Sequence, residues 1–180
     1  MPERSGGTWA VTNDILDGGR GGDYIQGDGG AFLEGSVGGK DRILGQSGND
    51  WLVGDAQFVG DPTTQQTGPI EGGDDWIEGG TGNDQIWGDF VEIRPGFVTA
   101  GGNDTFVFTK HSGVDTIFDF EDGKDRVDVR SYSFDTIDDL IITNNGTSAV
   151  TVAFDANDRV FVQALDGNPI TLTVTDFFFA

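Results

Sequence analysis

The 180-residue sequence contains no cysteine, which excludes a disulfide framework, a thiolate nucleophile and a cysteine-based zinc site. Its one histidine is His111, so a two-histidine zinc motif cannot form. His111 beside Ser112 is not a triad, because sequence neighbours rarely face each other for proton transfer. Lysine and arginine total 10 against 31 acidic residues, a net charge of −21. The basic face that nucleic acid or an anionic membrane would require is therefore missing. No apolar run reaches the roughly 18 residues of a membrane span. The opening Met1-Pro-Glu-Arg-Ser-Gly-Gly also lacks the apolar stretch of a secretory signal peptide, so the expected export route is one that needs no such signal. Glutamate is scarce too, at 6 residues against 25 aspartates.

Glycine is abundant. Of 30 glycines, 26 fall within residues 1–107, and 14 Phe with 4 Trp are too many for a disordered tail. Aspartate recurs at a spacing of nine at Asp14, Asp23, Asp41 and Asp50, with the missing slot on Phe32, and again at Asp75 and Asp84, followed by Asp104. The surrounding text reads Gly18-Gly-Arg-Gly-Gly-Asp-Tyr-Ile-Gln26, Gly45-Gln-Ser-Gly-Asn-Asp-Trp-Leu-Val53 and Gly79-Gly-Thr-Gly-Asn-Asp-Gln-Ile-Trp87. Two residues after each Asp stands a large apolar residue: Leu16, Ile25, Ile43, Leu52, Ile77, Ile86 and Phe106. Glycine permits the positive φ of a tight turn, and the last three residues of each repeat can form a short strand with its middle side chain inward. Short carboxylates held against a turning backbone suit hard cations, above all Ca²⁺. With one repeat as half a coil, two repeats complete a turn. That register puts Asp23 and Asp41 on one edge and Asp14, Phe32 and Asp50 on the other. Slots 27–35 and 36–44 read as degenerate, and 54–69 and 88–98 as lengthened slots that leave Asp50 with Asp75 and Asp84 under Asp104.

These motifs resemble the RTX repeat, Gly-Gly-x-Gly-x-Asp-x-U-x, of haemolysin-type calcium-binding proteins. The resemblance implies an all-β fold: a right-handed parallel β-roll of nonapeptide repeats followed by a β-rich C-terminal cap. It also implies several Ca²⁺ ions, on the order of three to five. Their ligands would be the carboxylates of Asp23, Asp41, Asp50, Asp75, Asp84 and Asp104 and turn carbonyls such as those of Gly18, Arg20, Gly45, Ser47, Gly79 and Thr81. The roll is expected over residues 9–107, with insertions at 54–69 and 88–98, and the cap over 108–180. Within the cap, period-two patterning predicts strands at 105–109, 116–120, 126–130, 140–143, 149–154, 160–165 and 170–175, and a helical turn near 134–139. The stretches Gly102-Asn-Asp-Thr-Phe-Val-Phe108, Gly113-Val-Asp-Thr-Ile-Phe-Asp-Phe120 and Gly123-Lys-Asp-Arg-Val-Asp128 are similar to the C-terminal domain of serralysin-type exoproteins. In that setting Asp119 and Asp125 hold one further Ca²⁺ or act as turn residues. The terminal Thr175-Asp-Phe-Phe-Phe-Ala180 looks like the uncleaved signal read by bacterial type I secretion machinery, implying a secreted, extracellular protein.

No catalytic residue is assigned, and carboxylates serving as calcium ligands are poor proton donors. The reading is a calcium-binding module that folds on binding Ca²⁺ after type I export. Alternatives are an adhesive module and the non-catalytic C-terminal part of a larger exoenzyme. The outward aromatics Tyr24, Trp51, Trp76 and Trp87 are expected to pack under the insertions or the C-terminal part. Otherwise Trp51 and Trp76 offer a face for a carbohydrate or protein partner. Asp61-Pro62 reads as a turn.

Overall fold

The computed structural model describes residues 12–33, 35–61 and 68–180. Residues 9–11 of the expected roll and Pro62 of the expected turn lie outside these. The chain winds in coils of very short strands. The first coil holds β1 (Ile15–Asp17), β2 (Tyr24–Gln26) and β3 (Ala31–Phe32). The second holds β4 (Arg42–Leu44), β5 (Trp51–Val53) and β6 (Ala56–Val59), and the third β7 (Trp76–Glu78), β8 (Gln85–Trp87) and β9 (Phe90–Ile93). A fourth coil has only β10 (Thr105–Val107) and β11 (Val114–Ile117) before β12 (Arg126–Asp128) starts the next. Stacked coils build three sheets. In the first, β1, β4, β7, β10 and β12 lie side by side; in the second, β2, β5, β8 and β11; in the third, β3, β6 and β9, all parallel.

Alternation along each three-residue strand puts its middle side chain inward. In the first sheet Leu16, Ile43, Ile77, Phe106 and Val127 are register partners. In the second, Ile25, Leu52, Ile86 and Ile117 are. These two ladders face each other in one core. The third sheet has its own core of Phe32, Ala56, Val59, Ile70 and Phe90. The roll thus has two lobes in cross-section, joined at a waist where the chain leaves the second sheet and returns to the first.

The expected turn of two repeats is corrected here. Equivalent residues of successive coils are 27, 34, 29 and 21 apart, as the contacts Asp14–Asp41, Asp41–Asp75, Asp75–Asp104 and Asp104–Asp125 register. The cause is the third strand. The slot lacking its Asp, 27–35, and the insertions 54–69 and 88–98 each contribute one strand, β3, β6 and β9, to one sheet, with Phe32, Val59 and Ile93 in register. Only the coil without a third strand is short.

After the roll, β13 (Ile141–Thr143), β14 (Ala149–Ala153) and β15 (Arg159–Gln163) form an antiparallel meander, and β15 lies parallel against β11 in the second sheet. The final strand, β16 (Phe177–Phe178), extends the first sheet beside β12. Both sheets therefore run on into the C-terminal part. A 3-10 turn occupies Ile137–Asp139, inside the expected helical segment. The strand expected at 170–175 is absent. Ile170 makes one bridge to Thr147, and a capping box of Thr173 with Asp176 turns the chain through a 3-10 turn at Val174–Asp176 into β16. Among the described residues no helix is long and apolar enough to cross a membrane.

Candidate metal centres

Each strand of the first two sheets in the roll is preceded by an aspartate at the end of its turn, except β11, which carries Asp115 as its second residue, and stacking the coils aligns these into columns. Column one contains Asp14, Asp41, Asp75, Asp104 and Asp125. In each neighbouring pair the backbone N–H of one Asp donates to Oδ1 of the next, at 2.7–3.0 Å. Column two contains Asp23, Asp50, Asp84 and Asp115, joined in the same way at 2.8–2.9 Å. The second oxygen is left over. Oδ2 of Asp23, Asp41, Asp50, Asp75, Asp84, Asp104 and Asp115 is buried and accepts no hydrogen bond. A buried carboxylate oxygen without a donor is costly unless a cation meets it.

The glycine that opens each turn makes room at that oxygen. A Cβ placed on Gly18 would come to 3.0 Å from the Gly45 carbonyl oxygen and 3.1 Å from Asp23 Oδ2. One on Gly45 would come to 2.5 Å from Asp50 Oδ2 and would collide with the Gly79 carbonyl oxygen. A carboxylate and a carbonyl from successive coils thus meet at one point, a donor set of hard oxygens that suits Ca²⁺.

The columns end in a different chemistry. Asp158, directly before β15, accepts from the Gly113 N–H with Oδ1, and from the His111 N–H and the Tyr132 hydroxyl with Oδ2. Asp125 accepts from Asp104 N–H with Oδ1 and Glu121 N–H with Oδ2. Asp119 takes Gly88 N–H on one oxygen and Asp89 N–H, with Phe90 N–H, on the other. The carboxylates within the stack have an unmatched oxygen, whereas these terminal ones have none.

Burial raises the carboxyl pKa values of the inner members of both columns. Desolvation, opposed by a backbone N–H bond and reinforced by neighbouring carboxylates, pushes Asp41 and Asp84 up to about 6 and Asp115 up to about 8. Asp75 and Asp104 are raised for the same reason, with further carboxylates close by. An exposed contrast is Asp74, which its hydrogen bonds with Lys40 and Asn103 hold down at about 2.

The expected site residues are therefore distributed over two columns. Asp23, Asp50 and Asp84 share column two with the stacked turns of Gly18, Arg20, Gly45, Ser47, Gly79 and Thr81, where Arg20, Ser47 and Thr81 are bridge partners. Asp41, Asp75 and Asp104 form column one. The expected neighbours change accordingly. Asp23 meets Asp50 rather than Asp41, Asp50 meets Asp84 rather than Asp75, and Asp84 meets Asp115 rather than Asp104. Asp119 and Asp125, expected together, terminate separate stacks. Sequence reasoning missed Asp115 and a third column, Asp28, Asp55 and Asp89. Its signal was present: a Gly-Asp pair follows β2, β5 and β8 at residues 27–28, 54–55 and 88–89.

The aromatic expectation divides. Trp51 and Trp76 stand on β5 and β7, in different sheets, so they do not share a face. Trp87 is buried, stacked between Trp51 at 4.7 Å and Phe118 at 4.4 Å between ring centroids. The Arg42 guanidinium lies 4.3 Å from the Trp76 ring. Phe118 belongs to the C-terminal part expected to cover these rings, while the described residues of the insertions supply β6 and β9 of the third sheet.

Parallel coils stacked on columns of turn aspartates define a β-roll of the calcium-binding repeat class. The family model described as peptidase M10 serralysin C terminal matches residues 13–166, and the chain belongs to that family. No curated protein matches it. Among solved structures, the AlgE6R2 subunit of the Azotobacter vinelandii mannuronan C5-epimerase is similar at 21% identity, over 94% of this chain and 92% of that one, with a TM-score of 0.49. The AlgE6R3 subunit of the same enzyme gives 20% identity, over 97% and 81%, with a TM-score of 0.40. The protein is a calcium-binding β-roll module.

Asp84→Asn separates the two states of a column. Asn keeps an oxygen for the Asp50 N–H but removes a buried charge. In chelator at neutral pH, where the parent is expected to be largely unstacked, the variant is expected to gain strand signal. In millimolar Ca²⁺ it is expected to melt lower than the parent by roughly 2–5 °C and bind one ion fewer. Circular dichroism in both conditions checks this, and a change of the same sign in both contradicts the ligand role.

Proposed function

We propose that this chain is a secreted, non-catalytic module that folds on binding Ca²⁺ after export by type I machinery. The observation that carries the calcium switch is the row of buried, unmatched Oδ2 atoms running through both columns. Without cations these desolvated charges oppose stacking. With −21 on the chain, self-repulsion favours an expanded form where free Ca²⁺ is scarce. In millimolar Ca²⁺ the ions would neutralise the columns and couple binding to folding. Each site filled at a hundred times its dissociation constant would add about 2.7 kcal/mol. Asp23, Asp41, Asp50, Asp75, Asp84 and Asp104, with carbonyls such as those of Gly45 and Gly79, would hold the ions; Asp119, Asp125 and Asp158 would close the stacks.

The C-terminus supports the export part of the reading. Asp176 and Phe177 are buried, so folding takes the acidic residue and the first Phe of the ending that resembles a type I signal out of reach. An exporter that takes unfolded substrates fits that arrangement.

Circular dichroism and small-angle scattering in EGTA and then in Ca²⁺ test the switch. The expected result is an expanded chain with little strand signal that compacts as Ca²⁺ binds. A full strand signal in EGTA overturns it. For export, deleting residues 175–180 is expected to abolish appearance outside cells carrying a type I exporter.

A further inference from the structure

Column one differs from column two at the waist. Where the chain leaves the second sheet, Gly27-Asp28, Gly54-Asp55 and Gly88-Asp89 stack as a third column. The Asp28 N–H donates to the Asp55 carbonyl at 3.1 Å and the Asp55 N–H to the Asp89 carbonyl at 3.2 Å. Their carboxylates reach across to the returning chain. Asp28 accepts from Gly39 N–H at 2.8 Å, Asp55 from Gly73 N–H at 3.0 Å and Asp89 from Gly102 N–H at 2.8 Å. Each donor stands two residues before an aspartate of column one: Asp41, Asp75 and Asp104.

Asp55 has no exposed surface, and its Oδ1 is unpartnered. Oδ1 of Asp28 is also buried and unpartnered. On the other side of the waist, Oδ2 of Asp41, Asp75 and Asp104 is unpartnered too. These oxygens point at the waist glycines. A Cβ on Gly27 would collide with Asp41 Oδ2 and the Gly54 carbonyl oxygen, and one on Gly54 with Asp75 Oδ2 and the Gly88 carbonyl oxygen. A Cβ on Gly88 would collide with Asp104 Oδ2, and one on Gly38 with Asp55 Oδ1. Gly27, Gly54 and Gly88 thus repeat at the waist the part of Gly18 and Gly45 in column two, with one more carboxylate added per coil. Among the described residues no three carboxylate or histidine side chains converge as a cage, so carbonyls must complete each set.

We propose that the waist holds a second class of divalent-cation site, in which Asp28, Asp55 and Asp89 add a carboxylate to those of Asp41, Asp75 and Asp104. This rests on the calcium reading above. With two carboxylates per ion in place of the pattern of column two, and buried between two cores, the waist sites bind more tightly than the outer ones, since charge count sets Ca²⁺ affinity.

The test is Ca²⁺ binding to the full chain by equilibrium dialysis, with folding followed by circular dichroism. The parent is expected to show a tight and a weaker class. Asp55→Asn with Asp89→Asn keeps the acceptors for Gly73 and Gly102 and is expected to weaken the tight class at least tenfold, leaving the weaker class in place. Asp50→Asn with Asp84→Asn is expected to do the reverse, and exposed Asp138→Asn to change neither. An unaltered titration for the Asp55 and Asp89 pair overturns the proposal. If that pair fails to fold in saturating Ca²⁺, Asp28→Asn decides instead: loss of one tight ion supports the waist assignment and an unaltered titration overturns it. A parent that binds no ion defeats the calcium reading itself, whereas a binding parent with an indifferent waist variant defeats only this assignment.

Discussion

In a calcium chelator, acidification is expected to fold the chain. Asp41 and Asp84 are pushed up to about 6 and Asp115 up to about 8, chiefly by desolvation, against about 3.9 in an unfolded chain. A carboxyl whose folded pKa exceeds its unfolded value contributes stability that is complete below the unfolded value. It is lost as pH climbs through the folded one. The window therefore runs from about pH 4 to about pH 8, and every such column member acts in the same direction. Strand signal in EGTA should rise steeply from pH 8 to pH 5. In saturating Ca²⁺ the slope should reverse, because the ions need deprotonated ligands and protons compete for them. Urea titrations at stepped pH, with and without Ca²⁺, check both arms. Chelator stability that is flat or increases with pH would show that the buried carboxylates do not control folding.

The second large effect concerns one methyl group. At Gly73 a Cβ would overlap the Gly39 carbonyl oxygen of the coil beneath, and no side chain can move aside to admit it because the obstacle is backbone. Gly73→Ala is expected to cost more than about 4 kcal/mol even in Ca²⁺, since it separates the second and third coils at the waist. Gly123→Ala is the control. Unlike Gly73, Gly123 has a positive φ, 82°, but a Cβ there meets nothing, so only the backbone preference is lost, about 1 kcal/mol. Denaturation midpoints in Ca²⁺ measure both, and comparable losses would refute the steric account.

The sequence carried the strand-bearing unit clearly, because the three residues after each turn Asp repeat one demand: a middle side chain that must be apolar. Leu16, Ile43, Ile77 and Phe106 follow from that alone. The number of strands per coil was not legible in the same way. Two perfect repeats imply a two-strand coil, and the third strand has no repeat of its own. It is recognisable by burial of Phe32, Val59 and Phe90 in a separate core, which depends on which coils stack. Once the coil length changed, every pairing of aspartates changed with it, although the candidate aspartates other than Asp119 kept their strand-preceding places. Asp28, Asp55 and Asp89 escaped notice because they lie outside the nonapeptide frame, while their increments match those of the other columns. The C-terminal meander was legible from period-two patterning. The segment after Ile170 was not, since Thr173 and Asp176 form a local capping box that overrides its β propensity.

The unequal coils have a consequence for assembly. In an array of identical units any coil can settle on any other, and slipped or exchanged registers compete with the native one. Here the increments 27, 34, 29 and 21 are all different. A segment displaced by one coil would bring its N–H groups to the wrong carboxylates and leave its third strand without a partner. Irregular spacing gives each coil an address, so a chain of near-repeats has a single way to wind.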